Sequence, residues 1–157
     1  MKQRAIVWFR RDFRLADNPA LRAAVDGDFD GIIPVFIHAP DEEGDWAPGG
    51  AQRVWQHESL AALADALEAI GSRLVIRRGP TQSTLDDLID ESGAGAVFWN
   101  RLYEPGLVRR DADIESHLAD AYPELDVRHF QADLLHEPWT VETQSGKPYK
   151  VFTPFWK

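Results

Sequence analysis

The chain has 157 residues, 44% of them hydrophobic and 27% charged, which suits one globular domain large enough to bury its own core. With 17 Lys and Arg against 26 Asp and Glu the formal net charge is -9, which argues against this segment gripping a nucleic-acid backbone, because counterion release needs clustered cations. The absence of cysteine excludes disulfides and thiolate metal sites; the residues after Met1 are already strand-like, with no long apolar run to read as a signal peptide or membrane span, so the expected location is cytoplasmic.

In chain order, residues 4–9 are apolar and β-rich and predict a buried parallel strand. Arg10, Arg11, Asp12 and Arg14 follow at once, and Asn18-Pro19 then opens a helix over 19–25, with Asn18 as N-cap and proline at the first position, where its missing N–H does no harm. A second strand over 31–37 leads into His38 and Asp41. The longest helical pattern covers 51–70, with Leu60, Leu63, Leu67 and Ile70 on one stripe and Gly71 as its stop. Arg53 stands near its start, where the helix field disfavours a cation and so invites a partner.

A strand over 73–77 comes next, and Ser83 with Asp86 reads as a capping box for a helix through Leu85, Leu88 and Ile89. Residues 95–99 predict a fourth strand, Leu107, Ile114 and Leu118 mark a helix closed by Pro123, and residues 125–130 predict a fifth strand. This alternation predicts an α/β fold, a doubly wound five-stranded parallel sheet with helices on both faces. From Gln131 the rhythm stops and Pro138, Gly146, Pro148 and Pro154 punctuate an irregular stretch. The chain therefore divides into an α/β domain at 1–130 and a connector at 131–157. Tyr149, Phe152, Phe155 and Trp156 crowd that connector, which reads as part of a longer polypeptide.

In an open α/β sheet the ligand crevice lies at the carboxyl ends of the strands. That selects Arg10, Arg11 and Asp12 after the first strand, His38 to Asp41 after the second, and Asn100, Arg101, Tyr103 and Glu104 after the fourth. The same charges could instead pin loops or seat a neighbouring domain. Trp8 and Trp99 lie inside strands and are assigned to the core, whereas Trp46 and Trp55 are placed to stack on a flat heteroaromatic ligand. His38, His57, His117, His129 and His136 show no metal-binding spacing, so no metal site is expected. Gly93-Ala94-Gly95 precedes a strand and lacks a third glycine, which fails the dinucleotide fingerprint, and no phosphate-binding loop motif exists. A ligand would be held by side chains and stacking.

Four segments now line up: W-F-R-R-D-F-R-L-A-D-N-P-A-L at 8–21, A-Q-R-V-W at 51–55 with Ser59-Leu60, W-N-R-L-Y-E-P at 99–105, and G-K-P-Y-K-V-F-T-P-F-W-K at 146–157. In this order they resemble the N-terminal α/β domain of the DNA photolyase/cryptochrome family along the whole chain. The resemblance implies binding of a light-harvesting antenna pigment, which in that family is a folate, a deazaflavin or a flavin. It places the catalytic FAD and the damaged-DNA groove in a C-terminal helical domain absent from this sequence. There, excitation energy reaches reduced FAD, which donates an electron that splits a cyclobutane pyrimidine dimer. The activity implied for the full-length protein is deoxyribodipyrimidine photo-lyase, while this segment alone is expected to carry no catalytic residue and no activity.

By the same resemblance, Arg53, Asn100 and Glu104 match places that line the antenna pocket, with His38 at its rim and Arg101 beside Asn100. Leu102 departs from the acidic residue of deazaflavin-binding members, and Gly106 and Leu107 stand where one folate-binding group has Asn-Glu, which leaves the pigment open. The helix start at 53–55 looks closer to folate-binding plant-like or bacterial relatives. A cryptochrome light-signalling protein shares the motifs, and a freestanding nucleotide-binding α/β module is a third reading. The expected partners are damaged DNA through the absent domain, that FAD domain itself, and a second copy meeting through the aromatic tail, with no membrane.

Overall fold

The computed structural model describes residues 3–44, 47–143 and 145–156. Five strands, β1 (Arg4–Phe9), β2 (Gly31–His38), β3 (Val75–Arg78), β4 (Ala94–Asn100) and β5 (Asp126–Phe130), form one sheet in the order β3-β2-β1-β4-β5. Every neighbouring pair is parallel, and β1 sits at the centre with Ala5 opposite Ile32 on one side and Ala96 on the other. The chain steps outward from β1 to β3, then crosses back to β4, so the order reverses beside β1. That reversal opens a crevice at the carboxyl ends of β1 and β4.

Helices α1 (Pro19–Asp26) and α2 (Gly50–Glu68) cover one face, and α3 (Thr81–Ser92) and α4 (Pro105–Ala121) cover the other. Alternation along each strand divides the core accordingly. Ala5, Val7, Phe9 and Phe98 pack on Ala20, Ala24, Leu63 and Leu67, while Ile6, Trp8, Val97 and Trp99 pack on Leu85, Leu88, Ile114 and Leu118.

Local sequence explains most boundaries. Asn18 caps α1 by accepting the Leu21 N–H at 3.1 Å, ahead of Pro19. The last turn of α2 closes when the Ser72 N–H reaches the Leu67 carbonyl at 2.9 Å and Gly71 takes φ 77°, a left-handed value that favours glycine. This reversal corrects one expectation. Ile70 lies past the helix end and is 69% exposed, so the buried stripe of α2 stops at Leu67.

A second correction concerns α3. The helix begins at Thr81, and Ser83 sits inside its first turn with its hydroxyl turned back to the Pro80 carbonyl, so the Ser83–Asp86 capping box does not form. Its cap comes from a distant residue. Glu42, in a short 3-10 turn after β2, accepts the Thr81 N–H at 2.6 Å and the Thr81 hydroxyl at 2.5 Å. A carboxylate there also meets the positive end of the helix field.

Residues after β5 hold a 3-10 turn (Pro138–Thr140), a single bridge between Glu142 and Pro148, and a five-residue helix, α5 (Phe152–Trp156). Arg14 ties the start of this stretch to the β1 loop, donating to the Ala132 carbonyl at 3.2 Å. Among the described residues, no helix is long and apolar enough to cross a membrane.

Candidate functional site

Asp12, Asn18 and Asn100 form a buried polar knot where β1 and β4 end. The Asp12 carboxylate accepts the Arg10 N–H at 3.0 Å and both amide groups, from Asn18 at 3.3 Å and Asn100 at 2.5 Å. Asn100 also donates to the Asn18 side chain at 2.8 Å and accepts the Ala20 N–H at 3.1 Å. With all these groups mutually satisfied, the β1 loop, the start of α1 and the end of β4 are fixed as one frame. The Asn100 side chain, expected to line a ligand pocket, is thus bonded to the β1 loop and the start of α1.

The adjoining residue, Arg10, is buried on the other side of this frame. Its guanidinium donates to Asp111 on α4 and to the Asn100 carbonyl, and it lies 4.7 Å from the Trp8 ring centroid. Arg110 approaches the same ring at 5.2 Å. Burial lowers the Arg10 pKa from its usual value, and the neighbouring Asp111 charge opposes that. Two donors stay unanswered here: the Trp8 Nε1–H and the Arg10 Nε–H are buried without an acceptor. A buried orphan donor costs about 1–3 kcal/mol, so such groups point to a missing acceptor.

Both residues line an inner cavity of about 120 Å³ at the ends of β1 and β2. Arg11, His38, Glu43, Arg53 and Arg110 line it too, with Phe36, Ile37 and Leu102 as apolar walls. Of the five charged residues in this lining, only Glu43 is acidic, although the chain as a whole carries a net -9. An outer cavity of about 670 Å³ opens beside it, walled by Glu42, Gly44, Glu104, Pro105, Leu107 and Arg109. Arg11 and Glu43 belong to both. Arg11 reaches across to Glu43 at 3.2 Å and to Glu104 at the start of α4, which straps the β1, β2 and β4 loops together.

The structure thus brings His38 and Arg53 together and sets Glu104 in the adjoining cavity. Arg101 goes elsewhere. It pairs with Glu137 and stacks over Trp139 at 5.7 Å, lining a third hollow of about 260 Å³ with Trp99, Tyr103 and His129. Burial, with Glu137 nearby, raises the Tyr103 pKa. Trp55 is 75% exposed and absent from the cavity walls, and Trp46 lies outside the described residues. Among the described residues no cluster could hold a metal ion.

Sequence reasoning missed three contributors, namely Trp8, Arg110 and Glu43. Trp8 is core as expected, being 2% exposed, yet its edge also lines the inner cavity. For the α4 side a signal existed. Asp111 falls on the apolar stripe between Leu107 and Ile114, and an acid at a core position requires a buried cation, here Arg10.

The DNA photolyase family model matches residues 5–157. The chain belongs to the DNA photolyase family. It is 48% identical over 97% of its length to the deoxyribodipyrimidine photo-lyase of Agrobacterium fabrum, and 42% identical over its whole length to cryptochrome-2 of Arabidopsis thaliana. It spans 30% and 25% of those two relatives. Among solved structures it superposes on a bacterial class III photolyase from Agrobacterium tumefaciens with a TM-score of 0.89 and 46% identity, covering 99% of this chain and 31% of that one. An archaeal photolyase from Sulfolobus tokodaii, described with two FAD molecules and a novel light-harvesting cofactor, gives a TM-score of 0.75 at 26% identity over 98% of this chain and 33% of that one. This photolyase-family chain therefore has the five-stranded parallel α/β fold of the N-terminal region of those proteins.

Proposed function

We propose that this chain is the antenna-pigment-binding domain of a DNA photolyase that repairs cyclobutane pyrimidine dimers with blue light. The observation that carries this reading is the double cavity at the strand ends beside the β1/β4 reversal, in a chain matched along nearly its full length by a deoxyribodipyrimidine photo-lyase. The outer cavity lies within the size range of small-molecule sites, about 300–1,000 Å³. Bound there, a pigment would absorb light and pass excitation energy onward to FAD.

His38 and Arg53 would orient the ligand from the inner cavity, and Pro105 and Leu107 would cover its apolar parts. FAD and the DNA groove belong to the rest of the longer protein, in keeping with the acidic balance of this segment. The test uses the full-length protein that contains this chain. Illumination with a dimer-containing oligonucleotide is expected to restore intact pyrimidines, and its absorption spectrum as purified should show a pigment band beside that of FAD. The 42% identity to a plant cryptochrome supports a second reading, a light-signalling protein. Photoreduction of FAD with no dimer cleavage would select it.

A further inference from the structure

Past β5 the chain stays on the sheet for some way. Arg14, in the β1 loop, donates to the Ala132 carbonyl at 3.2 Å and stands 4.0 Å from Asp133. Gln131 closes the stretch on itself, its amide donating to the Leu134 carbonyl at 2.7 Å. Pro138 then sets a tight turn in which the Thr140 N–H and hydroxyl both donate to the Glu137 carbonyl, at 2.9 and 2.8 Å. Glu137 is 9% exposed there, while Trp139 stays on the rim at 59%. Both side chains grip one guanidinium: Arg101, the residue after β4, donates to Glu137 and lies 5.7 Å from the Trp139 ring centroid. Arg101 is itself fixed, because its backbone N–H donates at 2.8 Å to the Phe130 carbonyl, where β5 ends.

The hold is incomplete. Glu137 Oε2 and the Tyr103 hydroxyl are both buried with no hydrogen bond. A buried ion pair does little more than offset its own desolvation, and unbonded polar atoms weigh against the closed arrangement. The contact is specific in geometry and weak in free energy, as a releasable joint requires. We propose that residues 131–140 form a latch, with Glu137 as its bolt and Arg101 as its seat. Closed, it makes this stretch part of the α/β body, which then ends at Thr140 rather than at Phe130. Open, it frees the chain from the end of β5 and uncovers the hollow beside Trp99 and His129 that Trp139 helps to wall. The aromatic tail at 149–156 departs from the point the latch fixes, so the state of the latch sets how firmly that tail is tied to the sheet.

The test is the rate at which thermolysin cuts this stretch in the full-length protein that contains this chain, with the cut positions read by mass spectrometry. Thermolysin cleaves before large apolar residues, and Leu134 and Leu135 offer it sites, Leu135 being 95% exposed. Cleavage needs the stretch to open, so the rate follows the open population. Glu137→Ala and Trp139→Ala are each expected to speed the cut about tenfold or more, while Glu124→Gln, an exposed acid elsewhere, keeps the wild-type rate. Either change alone releases the latch, so the double variant should be cut no more than about twofold faster than the faster single one. Arg101→Lys keeps the charge but cannot lie flat on the indole while bonding the carboxylate, and its rate should fall between.

A wild-type stretch cut as fast as the variants would show it free and overturn the latch. Variants cut at the control rate would overturn it as well. Trp139→Ala, which removes a rim side chain and spares the core, keeps the test open if Glu137→Ala unfolds: cuts spreading into β1 and β4 of Glu137→Ala, with Trp139→Ala at the control rate, would make Glu137 a support of the sheet and not a bolt.

Discussion

At the scale of single residues, Asn100 shows how a side chain suited to reading a ligand can be claimed by the frame. Its amide meets Asp12, Asn18 and the Ala20 N–H, all buried. Asn100→Ala would leave the Asp12 carboxylate and that N–H short of partners, and we expect a loss of about 2–3 kcal/mol in urea unfolding. A loss below about 0.5 kcal/mol, the size of an ordinary surface effect, would mean the knot does not hold the loops. Asp133 behaves oppositely. Burial first, and the Asp12 charge second, raise its pKa, with Arg14 opposing. The folded chain therefore holds this proton more tightly than the unfolded one, so the ionised carboxylate weakens folding at neutral pH, and that penalty fades as pH falls through the raised folded value and is gone below the ordinary Asp value of about 3.9. Asp133→Asn is expected to raise the thermal midpoint at pH 7 and to lose the advantage near pH 4; an advantage that grows on acidification would contradict it.

At the scale of elements, α3 separates local from long-range control. Its sequence offers Ser83 and Asp86 as a box, but the start at Thr81 is met by Glu42, which the fold delivers from the turn after β2. Asp86 is engaged instead by His117 on α4 at 3.0 Å. Glu42→Ala should cost about 1–2 kcal/mol, the range seen for a lost helix cap, while Ser83→Ala should fall within about 0.5 kcal/mol. Chemical denaturation of the two variants side by side checks this, and the reverse ranking would restore the local box. Strands were easier to read. β1, β2 and β4 lie within a residue or so of the expected ranges because each is a short apolar run bounded by charge or glycine, whereas β3 slid to Val75–Arg78 because its arginines leave little apolar pattern to anchor it.

At the scale of the whole molecule, the tail past the sheet sets the behaviour in solution. Phe152 stacks on Trp156 at 5.7 Å and Tyr149 meets Phe155 at 5.8 Å, yet Trp156 is 76% exposed, and Val151 beside them is exposed too. Burying one such ring is worth roughly 1.5–3 kcal/mol, so a surface of this kind seeks cover. The isolated chain is expected to sediment as a dimer or larger species, and Phe152→Asp with Trp156→Asp to return it to monomer; a wild-type monomer at tens of micromolar, a range about that of weak association, would rule this out. We also expect the purified chain to carry no FAD and to cleave no dimer under blue light, checked by its visible spectrum and by oligonucleotide repair. The sequence alone determined the parallel α/β plan, the caps at Asn18 and Gly71 and the strand-end origin of the crevice, because periodicity and turn chemistry act over a few residues. Only the tertiary structure decided that His38 and Arg53 share a cavity, that Asn100 and Arg101 leave it, and that Trp8 and Arg110 enter it. Those choices depend on which face of a strand or helix meets a partner that is remote in sequence, 36 residues away for Arg101 and Glu137 and 88 for Asn100 and Asp12, and no local pattern of the chain records that distance.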